Sequence, residues 1–203
     1  MPRPSPGRTP WARRCAAIAL VLGLSLSACQ SASDPSAAPE RLSPDDAQVT
    51  LASNAAETTT RIHRVFGRLP EPRRKAVRRQ VGAVVDRWWE AAYLGGTYPR
   101  SSFPSAFPGF TAAAEERARA DKALLTHQVR GPYVDSVTAR RREVTLDILA
   151  TDRQARSVTA HVVLRLRSEG ERAGTTVVRG RLFLIRQRGA WRIFGYDLAK
   201  GAR

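Results

Sequence analysis

Between Val144 and Leu198 apolar and polar residues alternate along several stretches of the chain. Val144, Leu146 and Ile148 interleave with Thr145 and Asp147, and Val158, Ala160, Val162, Leu164 and Leu166 interleave with Thr159, His161, Arg165 and Arg167. Val177 to Arg188 and Trp191 to Leu198 continue the pattern. A period of two is that of a strand with one covered face and one wet face. Polar turns at Thr151 to Gln154, Ser168 to Gly174 and Arg188 to Ala190 are short, which predicts an antiparallel meander of four strands.

Upstream the period changes. Val77, Val81, Val84, Val85, Trp88, Trp89 and Ala92 recur at helical spacing from about Glu71 to Gly95, with Lys75, Arg79, Asp86, Arg87 and Glu90 on the opposite side. Pro70 and Pro72 open this helix and Gly95-Gly96 closes it. The following GGTYPRSSFPSAFPG is a loop whose Phe103, Phe107 and Phe110 are too apolar to stay in water. A second helix is expected from Thr111, its N-cap, to about His127, with Glu115 and Glu116 at its positive end and Ala118, Leu124 and Leu125 facing inward. Residues 48–69 read as two strands of a hairpin, Val49–Leu51 and the stretch TTTRIHRVFGRL, with a helix as the rival assignment. Helices first and strands after give an α+β class, with the helices packed on one face of the sheet.

The N-terminus has a different grammar. A basic stretch from Met1 to Arg14, an apolar run from Cys15 to Leu26, then Ser27, Ala28 and Cys29, are the three regions of an export signal. The apolar run is too short for the roughly 20 residues of a bilayer-spanning helix. The division expected is a signal over residues 1–28, a Ser/Ala/Pro/Asp-rich disordered tether over 29–47, and one folded domain over 48–203. With 203 residues, 42% of them hydrophobic, the chain is long enough for one sizeable core.

Charge and cysteine usage narrow the partners. Lys and Arg number 34 against 18 acids; four of the arginines and none of the acids precede Cys29, so 30 against 18 remain, a net charge of +12. Arg73, Arg74, Arg78 and Arg79 form one basic group at the start of the first helix, and Arg140, Arg141 and Arg142 form another. Export and the absence of aromatic residues among these arginines speak against nucleic acid. Anionic lipid headgroups or phosphate-bearing wall polymers are the partners expected instead, or an envelope protein, with a merely solvated surface whose arginines reflect codon usage as the equal alternative. Cys15 falls in the signal and Cys29 at its end, so no thiol is left for a disulfide, metal or nucleophile in the domain.

Two resemblances add to this reading. Leu26-Ser27-Ala28-Cys29 resembles the lipobox of bacterial lipoproteins, which implies acylation of Cys29 and a membrane-anchored, extracytoplasmic domain. Two helices, a Phe-Pro loop and a meander ending in GAWRIFGYDLA look like the NTF2-like (SnoaL, cystatin-like) superfamily, and Gly189 to Ile193 resembles its closing G-x-W-[RK]-I hairpin. AAYLGGTYPRSSF, GRLFLIRQRG and WRIFGYDL are similar to actinobacterial lipoproteins of that superfamily, which carry no agreed activity. The resemblance implies a curved antiparallel sheet wrapped on N-terminal helices into a cone, and a homodimer through the open sheet face. It also implies acid–base enzymes as one use of the fold, with Asp147 and His161 as catalytic candidates and Tyr93 or Tyr196 as hydrogen-bond donors. Asp147 and His161 alternate with the apolar face of their strands, so they are expected outside the cone. Trp88, Trp89, Tyr93, Phe107 and Tyr196 are the candidates for a pocket wall, the two tryptophans being more naturally core. His63, His127 and His161 are scattered and no glycine-rich phosphate loop occurs, so neither a metal nor a cofactor is expected. The function read from all this is a lipid-anchored, non-catalytic envelope module; an NTF2-like enzyme, a carrier of small apolar ligands, and assembly with membrane transport machinery are the alternatives.

Overall fold

Pro70, in extended conformation with a second proline just inside the first turn, starts helix α1 (Glu71–Trp89). Its apolar stripe of Val77, Val81, Val84, Val85 and Trp88 is buried against a sheet. The helix does not stop at Trp89 but widens into a π-turn, Glu90–Leu94, closed where Gly95 N–H donates to Glu90 O at 2.8 Å. The widened turn keeps both Ala92 and Tyr93 buried.

The computed structural model describes residues 56–202. The signal, Cys29, the tether and the strand expected at Val49–Leu51 lie outside the described residues. Five strands form one curved sheet in chain order: β1 (Thr58–Phe66), β2 (Ser136–Thr151), β3 (Gln154–Glu169), β4 (Gly174–Gln187) and β5 (Ala190–Ala202). The expected meander from β2 to β5 is antiparallel throughout. The fifth strand corrects the expectation of a wholly antiparallel sheet: β1 pairs with β2 in parallel, Thr58 opposite Arg142 and Phe66 opposite Leu149. A parallel pair needs a long crossover, and α1 with the segment after it supplies one. Instead of closing a hairpin, β1 therefore borders the helix that follows it.

The second helix is also shorter than expected. Thr111 caps it through its hydroxyl, which accepts from Ala114 N–H at 3.3 Å, but α2 (Ala112–Ala120) breaks at Asp121 and a single turn, α3 (Lys122–Leu125), follows. Phe103, Phe107 and Phe110 pin the intervening loop into the core. The space between helices and sheet is filled by Trp88, Trp89, Tyr93, Leu146, Leu164 and Leu182, each essentially without solvent contact. Burying a side chain of this size stabilises the fold by about 1.5–3 kcal/mol.

Candidate functional site

Two regions of the described residues gather chemistry, and the residues that define them come from elements far apart in the sequence. The first is a groove between β1 and the opening turns of α1. At Gly82 the helix comes so close to β1 that a Cβ there would lie 2.6 Å from Thr60 Oγ1. Toward the helix N-terminus the two elements part, and a cavity of about 480 Å³ opens between Arg61, Arg64, Arg74, Lys75 and Arg78, with Glu71 the one acid in its wall. Arg74 and Arg78 stand one helical turn apart, so both reach the same groove. Arg74 is steadied by its Nε–H, which donates to Leu69 O at 2.8 Å. Arg61 is half committed elsewhere, 3.8 Å from Glu143. Lys75 and Arg78 form no ion pair among the described residues. Like charges gathered around one concavity raise the local potential for an anion.

The basic group read from the sequence thus divides. Arg74 and Arg78 line this groove, whereas Arg73 donates to Arg153 O on the β2–β3 turn and Arg79 lies beside Trp191 in another depression. The second basic group divides too. Arg140 and Arg141 are exposed, but a bulge between Ala139 and Arg141 turns Arg142 inward, where it is 9% exposed. Its guanidinium donates to Asp86 and, at 2.7 Å, to Glu90, and lies 5.8 Å from the Trp89 ring. Thr58 also donates to Asp86, so this cluster ties β1 and β2 to the end of α1.

His63 lines the basic groove from β1 and connects it to the outer face of the sheet. Its Nδ1 stands 2.9 Å from Asp147 Oδ1, and His161 Nε2 stands 3.0 Å from Asp147 Oδ2. The two imidazoles that look scattered in the sequence therefore meet on one carboxylate. Burial tends to raise the Asp147 pKa, but the bonds from His63 and His161 outweigh it and hold the carboxyl below its ordinary range. Each oxygen serves one imidazole, and among the described residues no three His, Cys, Asp or Glu side chains are placed to hold a metal ion. Asp147 and His161 lie on the outer face, opposite the packed interior, and both histidine side chains are about half exposed.

The residues read as pocket candidates lie mostly in the interior. Trp88, Trp89 and Tyr93 are fully buried, and Phe107 packs on Phe110. The Tyr93 hydroxyl donates to Leu124 O at 2.7 Å, and burial pushes its phenol well above the ordinary range. Tyr196 is half-buried; its hydroxyl donates to Asp121 at 2.7 Å, and burial with that bond pushes it up to about 12. Both phenols thus donate within the protein. Compared with family models, with curated proteins and with solved structures, the chain matches none. No helix of the described residues is long and apolar enough to cross a membrane.

The second region was missed in the sequence. At the far end of the sheet, between α3, the start of β4 and the end of β5, a cavity of about 300 Å³ is lined by His127, Arg130, Thr176 and Lys200 with Ala123, Val129 and Ala202. The four polar residues are spread over a loop and two strands. Only their single-letter chemistry was visible in the sequence, and spacing offered no hint that they converge.

Proposed function

We propose that this chain is a lipid-anchored, extracytoplasmic module of the cell envelope that binds phosphodiester groups through the groove between β1 and α1. The observation that carries the reading is the groove itself: five cationic side chains around about 480 Å³, with one acid among them. A concave channel suits successive phosphates of a wall polymer better than a flat lipid surface, because charges on both walls can reach one chain. Lipid headgroups present the same phosphate chemistry. The NTF2-like cone remains the fold this reading assumes. The packed interior argues against a carrier that holds its ligand inside the cone, and the open setting of Asp147 and His161 argues against an acid–base enzyme, which needs apolar walls to tune such groups. Self-association belongs to the same proposal, with Phe66, Leu149 and Phe194 as exposed apolar residues on strands β1, β2 and β5.

The test reverses two charges at once. An Arg74→Glu/Arg78→Glu chain is expected to bind poly(glycerol phosphate) at least roughly thirtyfold more weakly than the wild type, from about 1 kcal/mol per basic residue and 1.4 kcal/mol per tenfold. Retention should fall with added salt in the wild type. Vesicles of phosphatidylglycerol form the second arm, and phosphatidylcholine vesicles the control. Equal binding by wild type and variant in both arms removes the groove from the function.

Anchoring is tested separately. In cells given a fatty-acid label, the wild type is expected to carry the label and to sediment with membranes, since two acyl chains hold a protein stably where one does so only marginally. A Cys29→Ala chain should lose both properties. If it stays labelled and membrane-bound, the anchor is elsewhere.

A further inference from the structure

We infer that the cavity between α3, β4 and β5 is a binding site for a small organic carboxylate, a compact acid with an apolar tail. This goes beyond the groove reading and rests on different residues. Thr176 is 3% exposed, lines the cavity from the start of β4, and its Oγ1 is buried with no hydrogen-bond partner. A buried hydroxyl is normally paired, so an orphan lining a cavity marks the place of a missing acceptor. Arg130, from the loop after α3, also lines the cavity and carries an unpartnered polar atom. One of its terminal nitrogens donates to Arg172 O and, at 3.0 Å, to Ala173 O, while its Nε is buried and unpartnered.

Lys200, on β5, completes the polar set. Its ammonium donates to Ala123 O and, at 2.8 Å, to Thr126 O, which leaves one of its three protons unassigned. Burial lowers its pKa to about 8, so it is charged at neutral pH and incompletely compensated. His127 Nε2 lies 3.3 Å from Ser168 Oγ, and burial together with Lys200 and Arg130 lowers its pKa to about 4, so the ring is neutral there. No Asp or Glu lines the cavity. Two cations, an orphan hydroxyl donor and no acid call for an anion that accepts hydrogen bonds. The remaining wall, Ala123, Val129 and Ala202, is apolar. Inorganic phosphate would leave that wall wet, whereas a carboxylate with a short hydrocarbon tail covers it and places its two oxygens near Lys200 and Thr176. The volume is at the lower end of small-molecule sites, which limits the tail to a few carbons.

The purified full-length protein is titrated calorimetrically with hexanoate, with benzoate, and with inorganic phosphate. Saturable one-to-one binding of hexanoate or benzoate is expected, weakened at least tenfold by Lys200→Met and about tenfold by Thr176→Val. The valine is nearly isosteric, so it tests the hydroxyl even if Lys200→Met disturbs folding, and its melting temperature should match the wild type. The Arg74→Glu/Arg78→Glu chain should bind the carboxylates as the wild type does, which separates this site from the groove. The proposal is overturned if neither carboxylate saturates, if Thr176→Val and a folded Lys200→Met bind them unchanged, or if phosphate alone binds in a Lys200-dependent way.

Discussion

Removing both carboxylates that hold Arg142, in an Asp86→Ala/Glu90→Ala double variant, is expected to lower the unfolding free energy by about 3 kcal/mol. The size follows from where the charges sit. Arg142 is the buried member at 9% exposure, while the Asp86 and Glu90 side chains are 40% and 48% exposed. Without its partners the guanidinium stays inside, desolvated, with its Nε already lacking an acceptor. The half-exposed partners place the cost at the lower end of what a broken buried pair commands. The converse change is milder: Arg142→Met leaves two carboxylates that water can reach and fills the space beside Trp89 with an apolar chain. It should cost less than half as much. Denaturant unfolding of both variants, compared by midpoint at equal m, checks the order. An Arg142→Met loss as large as that of the double variant would falsify the view that desolvation of Arg142 sets the energetics.

Arg142 also shows why parts of this fold could be read from sequence and parts could not. The meander was legible because β3 and β4 each have one wet and one covered face, so a two-residue period survives in the side chains. The first half of β2 was not: Ser136 to Glu143 contains three arginines and a bulge, and a charge that turns inward erases the alternation. Helix α1 was legible from its stripe, but the π-turn beyond it was not, because Trp89, Ala92 and Tyr93 look the same in either helix type. The parallel pairing of β1 depends on a crossover rather than on any local pattern. For the same reason the His63–Asp147 bond, which spans 84 positions, was invisible to spacing. The basic group was legible as composition, and only the divergence of β1 from α1 decided that Arg74 and Arg78 share a groove while Arg73 and Arg79 do not.

Acid should destabilise the domain through His127. In the folded chain this imidazole is packed near Tyr93 and Tyr98, at ring distances of 6.4 and 6.0 Å, with Lys200 and Arg130 nearby. Desolvation first, then those two cations, lower its pKa from 6.5 to about 4. The unfolded chain therefore takes up the proton as pH falls through 6.5, whereas the folded chain resists until about 4, and every step in that window favours unfolding. At 1.36 kcal/mol per pH unit the full loss is about 3 kcal/mol, complete near pH 4 and absent above neutrality. Glu143 and Asp147, whose folded pKa values are lowered, add their own losses only as pH falls below about 4.5 and 3.8. A His127→Gln variant isolates the effect, since the amide can still meet Ser168 but does not titrate. Between pH 6.5 and 5 the wild type should lose about 2 kcal/mol relative to this variant in denaturant unfolding. Parallel curves for the two proteins would show that His127 is protonated in the fold at no cost, and the desolvated, cation-flanked setting described for it would be wrong. A carboxylate bound beside Lys200 and Arg130 should reduce the difference, because an anion there offsets the two charges that add to desolvation in lowering the His127 pKa.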